Sequence, residues 1–323
     1  MLRNYFWSVV IGVFAMLPAS SADAAPNWRF PFRTPFRLFD RLTPRHSRHA
    51  DRRPTMVDMA GLAWHANYQR AWQEAQASKK MLLIVFGNRT PSKHLCDVVG
   101  VIRRDEQVAK RLQTDFVLAY LPRDAQICVQ GKSVNLLRHR SMAEMHGFEG
   151  IAIVDLKNKG QEYYGFVVSS YPFMQGKYYR FRASDLATIV NLPPGTITQR
   201  TMIWAVRVHP EHPASTRGQR SVTLVSEAKS HSRYQAAIGV QGHHHWETRF
   251  HRILGRLGGG GPVEVVAESW PNQTMIDSCV DCVASWRQSD GHWNAVRSFQ
   301  SIYGYDIKRG GNGIWYGTGI FAK

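Results

Sequence analysis

Between residues 58 and 172 the spacing of apolar residues switches back and forth. MAGLAWHANYQRAWQEAQASKK sets Leu62, Tyr68, Trp72 and Ala75 on one face at helical spacing. MLLIVFG is a continuous apolar run of strand length, which predicts a strand buried on both faces. DEQVAKRLQTD predicts a helix and FVLAYL the next strand. SVNLLRHRSMAEMHG predicts a helix stopped by Gly147. IAIVDL reads as a strand, KNKG as a turn and QEYYGFVV as a last strand. Helices alternating with buried strands predict an α/β unit around a central sheet.

From 173 to 218 the pattern is interrupted. Pro193, Pro194 and Gly195 turn the backbone, AVRV reads as a strand, and Pro210 and Pro213 end it. From 219 to 323 order returns. TLVSEAKSHSRYQAAIG puts Leu224, Ala228, Ser232 and Ala236 on one close-packed helical face. GHHHWETRFHRIL begins a second helix or bends off the first, and LGGGGP breaks it. VEVVAESW is a short β-branched run, with Pro271 placed to open the following helix. MIDSCVDCVASW keeps helical spacing through Ile276, Cys279 or Val280, Val283 and Trp286. SDGHW reads as a turn with Gly291 at positive φ. AVRSFQSIYGYDI leads into a strand pair, GGN turns, and GIWYGTGIFA closes the chain, its aromatic residues expected on one side.

A chain of 323 residues has room for two such domains. Residues 1–25 stand apart from both. Arg3 precedes the apolar stretch FWSVVIGVFAML, and Ala22, Asp23 and Ala24 form an A-x-A cleavage pattern. These are the parts of a secretory signal peptide, with an uncleaved anchor as the alternative. No later stretch is apolar enough to cross a membrane. The mature protein is expected to be exported and to reside in the periplasm, the cell envelope or outside the cell.

The net charge of +17 is spread unevenly: in 26–57, PNWRFPFRTPFRLFDRLTPRHSRHADRRP carries eight Arg against two Asp. Its prolines exclude a helix or strand period, so it reads as a basic linker or arm. In an exported protein its expected partner is an anionic surface rather than nucleic acid.

Four cysteines in a chain of this length do not make a disulfide scaffold, so apolar cores must carry stability. The order of elements in 58–172, with KKMLLIVFG as first central strand and GIAIVDLKNKGQEYYGF as a strand–hairpin–strand ending, resembles the thioredoxin-like fold. That family places C-x-x-C after the first central strand, whereas NRTPSKHLCDVV holds a single thiol. The resemblance therefore implies a redox-inactive module for binding or spacing. A single-thiol site at Cys96, or a Cys96–Cys128 disulfide, are the alternatives. Within the later helix Cys279 and Cys282 read as small core residues, with a local disulfide or metal ligation as alternatives. His209 and Glu211, in a Pro-punctuated loop, are spare candidate ligands.

In the last third, AESW with Glu268, WRQSDGHW with Trp286, Ser289, Gly291 and His292, and the closing YGYDI and NGIWYGTGIFA resemble the CAP superfamily, the SCP domain of cysteine-rich secretory proteins. That resemblance implies an α–β–α sandwich over 219–323 with a cleft formed by His243, Glu268 and His292, and a structural role for Ser289. His245, two residues beyond His243, would point the same way in an extended segment and is the alternative. His243, Glu268 and His292 can hold a divalent cation such as zinc, and a zinc-bound water would act as nucleophile. The expected architecture is thus a thioredoxin-like α/β domain, a connection over 173–218, and a CAP-like domain. Two readings of function follow: an exported binding protein for a polar ligand, lipid or cell-wall component, or a metal-dependent hydrolase.

Overall fold

In the computed structural model the described residues are 56–88 and 90–323. The leader over 1–25 and all but the last two residues of the arm over 26–57 lie outside them.

β1 (Met56–Met59) and β2 (Leu62–His65) form a hairpin turned by Ala60 and Gly61, both at positive φ. α1 (Tyr68–Ser78) starts at Asn67, whose side chain accepts from the Arg70 amide. It is followed by β3 (Met81–Gly87), buried along its whole length. α2 (Lys93–Arg104) and α3 (Glu106–Asp115) are capped by Ser92 and Asp105 and lead into β4 (Phe116–Pro122). A small hairpin, β5 (Gln126–Val129) with β6 (Lys132–Asn135), precedes β7 (Gly150–Val154) and β8 (Val167–Pro172). The sheet order is β1-β2-β4-β3-β7-β8. β2, β4 and β3 run parallel, while β7 and β8 are antiparallel additions.

The expected helix over SVNLLRHRSMAEMHG is instead β6 followed by a 3-10 turn, Arg140–Met145. His139 caps that turn, its Nδ1 accepting from the Ser141 amide, and Leu136, Leu137, Met142 and Met145 are buried without a helical period. The start of the first expected helix, around Leu62, is likewise β2.

After α4 (Leu186–Val190) comes α5 (Ile197–Arg207). AVRV is thus helical, not a strand. Thr196 and Gln199 form a reciprocal capping box, and every residue from Gln199 to Val206 is buried. α5 packs against β8 of the first sheet and β11 of the second, so it is buried all round, polar Gln199, Arg200 and Thr201 included, and has no solvent face to mark the one-sided period by which a helix is recognised.

The rest comprises β9 (Gln219–Arg220), α6 (Val222–Ile238), α7 (Trp246–Leu257), β10 (Val263–Glu268), α8 (Met275–Arg287), α9 (Asp290–Arg297), β11 (Ile302–Arg309) and β12 (Trp315–Ala322). The sheet order is β10-β12-β11-β9, antiparallel except for β9 beside β11. α6 covers one face; α5 and α8 cover the other. Gly304 permits the first of these contacts: a Cβ there would meet the Leu224 carbonyl carbon and the Val225 nitrogen at 2.3 Å. On β12 the aromatic residues do not share a side. Trp315 and Phe321 alternate with Tyr316, and Gly317 on the opposite face from Tyr316 approaches Cys282. SDGHW is not a turn but the start of α9, and Gly291 has no positive φ.

The described chain is mixed α/β, and the described residues belong to one compact unit by internal contacts. One apolar cluster joins Val85 and Ile153 of the first sheet to Met202 of α5, Cys279 of α8 and Tyr305 of β11. Among the described residues no helix is long and apolar enough to cross a membrane.

Candidate ligand-binding cleft

Glu264, near the start of β10, faces the α6 side of the sheet, where its side chain is 1% exposed. A carboxylate at that depth requires charged or hydrogen-bonded partners. Arg249, from the first turn of α7, supplies them as a two-pronged ion pair: its Nη2 donates to Oε1 at 2.6 Å and its Nη1 to Oε2. Arg249 is itself fixed by donating from Nε to the His244 carbonyl at 3.1 Å.

His243 lies 3.0 Å from the same carboxylate through Nδ1, and its Nε2 is 3.3 Å from Nε2 of His292 on α9. The ring centres are 5.6 Å apart, so the two imidazoles point nearly end to end. His231, on α6, stands 3.7 Å from Glu264 Oε1 and 2.9 Å from the Gly242 carbonyl, both measured from Nε2. Gln235 accepts from the Gly242 amide at 3.1 Å and donates to Thr318 at 3.0 Å, which pins the loop carrying His243 to the sheet.

These contacts assign the hydrogens. His231 Nε2 faces a carbonyl and therefore donates. His243 Nδ1 faces a carboxylate and donates too, which turns the lone pair of its Nε2 toward His292. The hydrogen between the two rings then belongs to His292. Burial pushes His231 down to about 4. Burial first, and then the neighbouring His243, also lower His292. For Glu264, burial acts to raise the carboxyl, but hydrogen bonds from His243 and Arg249 outweigh it and hold the group below the usual carboxylate range. The result is a chain of hydrogen bonds from a buried anion to a half-exposed imidazole pair, able to donate to a polar ligand or to take up one proton.

Of the residues expected in this cleft, His243 and His292 come together. Glu268 sits four residues beyond Glu264, roughly 13 Å along the strand; it is exposed and makes no hydrogen bond or ion pair with a described residue. Partial burial raises its carboxyl. His245 does not follow His243 in an extended segment. It takes φ 54° at the N-cap of α7 and directs Nε2 to the Tyr234 hydroxyl at 3.2 Å. Ser289 is the N-cap residue of α9, where its carbonyl accepts from the Trp293 amide at 2.7 Å while its hydroxyl makes no capping bond.

Glu264, Arg249 and His231 were not among the expected residues. The signal for Glu264 was there: an acid flanked by Val263, Val265 and Val266 in a strand of a two-sided sheet needs a buried cation.

His209 and Glu211 are tied to other elements. The His209 ring packs on Trp293, and Glu211 pairs with Arg287 and accepts from Trp293 Nε1 at 3.0 Å. All four cysteines are free thiols. Cys96, in the first turn of α2, and Cys128, on β5, are exposed, while Cys279 and Cys282 are fully buried in the core of α8. Among the described residues no group of three or more His, Cys, Asp or Glu side chains is arranged to hold a metal ion.

No family model matches the chain, and no curated protein matches it.

Proposed function

We propose that the protein is an exported binding protein of the cell envelope or extracellular space, whose second domain is CAP-like and holds a polar ligand at the His243–His292 pair. The observation that carries this reading is the end-to-end contact of the two imidazoles, backed by the Glu264–Arg249 ion pair. Such a pair offers hydrogen-bond donors and acceptors to a hydroxyl-rich or anionic group, as a lipid headgroup or cell-wall saccharide would present. The layering of α6 over one sheet face and α5 with α8 over the other supports the CAP-like assignment. Three parallel strands flanked by antiparallel β1 on one side and by β7 and β8 on the other support a thioredoxin-like first domain, and an exposed Cys96 without a C-x-x-C partner suits a partner module rather than a dithiol catalyst. The basic arm would add attachment to anionic surface, weakening as salt rises.

The test is metal content and ligand binding in protein prepared without a His tag, beside His292→Ala and Glu264→Gln variants. Saccharide or headgroup binding by metal-free protein, lost in His292→Ala, supports the reading. Stoichiometric zinc that both variants lose would overturn it in favour of a metal-dependent hydrolase.

A further inference from the structure

A cavity of about 360 Å³ shares no lining residue with the His243–His292 site. It is lined by Arg207, His212, Pro213, Thr216 and Arg217. Three of these five carry or can carry positive charge, and no carboxylate is among them. Arg207, the last residue of α5, is held in place by contacts to neutral oxygens, the Tyr303 hydroxyl among them. Its Nη1 donates to the Asn191 carbonyl at 3.0 Å, its Nε to the Thr216 hydroxyl at 3.4 Å and its Nη2 to the Thr216 carbonyl at 3.4 Å. With the Tyr303 hydroxyl also bonded, one of the five hydrogens of Arg207 is left for a ligand. The Arg217 side chain is exposed and makes no hydrogen bond or ion pair with a described residue. The nearest acid in sequence, Glu211, is already occupied by Arg287 and Trp293. A fixed guanidinium with no carboxylate in the cavity lining, together with an exposed guanidinium and an imidazole on the same lining, makes an anion site.

We propose that this cavity binds a phosphate group, with Arg207 as the preset donor and Arg217 closing on it. Two guanidiniums and His212 supply donors for the three terminal oxygens of a phosphate, more than the two oxygens of a carboxylate need. The volume leaves room for the rest of a small organic phosphate or for a phospholipid headgroup. The site is independent of the His243–His292 cleft and stands whether or not that reading holds.

The experiment uses the full chain and two charge-matched variants. Arg217→Gln removes the mobile donor. Arg233→Gln removes the same charge from an exposed position on α6. Binding of inorganic phosphate and of glycerol 3-phosphate is measured by calorimetry. Binding to phosphatidylglycerol vesicles is measured by co-sedimentation, with phosphatidylcholine vesicles as blank. Thermal melting confirms that both variants are folded. The expected result is saturable binding that Arg217→Gln weakens about tenfold, the loss of one charge-assisted hydrogen bond, while Arg233→Gln leaves it unchanged. If the difference appears with the soluble phosphates, the ligand is a free organic phosphate. If it appears with vesicles alone, the ligand is a lipid headgroup. Equal behaviour of the two variants in both arms, or no binding by the wild-type chain, overturns the proposal.

Discussion

The Nε2 atoms of His243 and His292 meet end to end at 3.3 Å, and the far nitrogen of His243 rests on the buried carboxylate of Glu264. One proton shared between the rings satisfies both, while two would set like charges against each other. That relationship ties the cleft to the stability of the domain, because the hydrogen bonds that orient His243 also solvate Glu264.

The first prediction concerns Glu264 and Glu268, which differ in burial on the same strand. Glu264→Gln leaves Arg249 buried without its counter-charge, a change that costs about 3–5 kcal/mol. Glu268→Gln alters an exposed carboxyl with no described partner and stays within about 0.5 kcal/mol. Urea denaturation of the two variants would distinguish them, and equal midpoints would refute the central role given to Glu264.

Acid sensitivity follows from His231. Its pKa falls from 6.5 in the unfolded chain to about 4 in the fold. The unfolded state therefore takes up the proton first, and stability drops as pH falls from 6.5 toward 4. The ceiling is roughly 3 kcal/mol from this one group. Glu264 adds a loss at lower pH, since its depressed carboxyl stabilises the fold only while ionised. His231→Gln should flatten the slope between pH 6.5 and 4 and leave the steeper loss below it. A variant whose stability–pH curve parallels wild type throughout would exclude His231 as the source.

How far this could be read from the sequence depended on whether a residue's surroundings were local. β3, β7, α6, α8 and β12 were legible because each buries a face set by its own run of apolar residues. α5 was not, since a helix enclosed by two sheets buries even its polar Gln199, Arg200 and Thr201 and has no solvent face to mark its period. The 3-10 turn at Arg140–Met145 was hidden because its buried residues answer to the first sheet, not to one another. In the cleft, His243 and His292 were legible, but the carboxylate beside them was placed at Glu268. Glu268 is the acid beside the recognisable AESW run. Glu264 is marked locally by the valines around it, but the cation that pairs with it, Arg249, lies fifteen residues earlier and on another element. His245 was misjudged because an extended backbone was assumed where the chain turns to positive φ.

Thiol reactivity provides a check on the cysteines. Cys96 and Cys128 are exposed, while Cys279 and Cys282 are enclosed and burial pushes both their thiols up. An aromatic disulfide reagent should label the first two rapidly in native protein and the second two only after unfolding. Fast labelling of all four would mean that α8 does not pack as described.

The last prediction joins fold and site through Gly304. Any side chain there points at the backbone of α6, 2.3 Å from two of its atoms, and backbone cannot rotate aside as a flexible side chain can. Gly304→Ala therefore lifts the N-terminal turn of α6 from the sheet, at a cost of at least about 3 kcal/mol. Gly291→Ala, where nothing lies within 4 Å and φ is ordinary, serves as the control and should be close to neutral or slightly stabilising, because alanine suits the interior of α9 better than glycine. α6 also carries His231 and Gln235, which hold the Gly242 carbonyl and amide. Displacement of α6 should then loosen the loop bearing His243 as well as lower the melting temperature. Hydrogen exchange at the Gly242 amide, faster in Gly304→Ala than the fall in global stability accounts for, would establish that link; exchange that merely tracks the global change would break it.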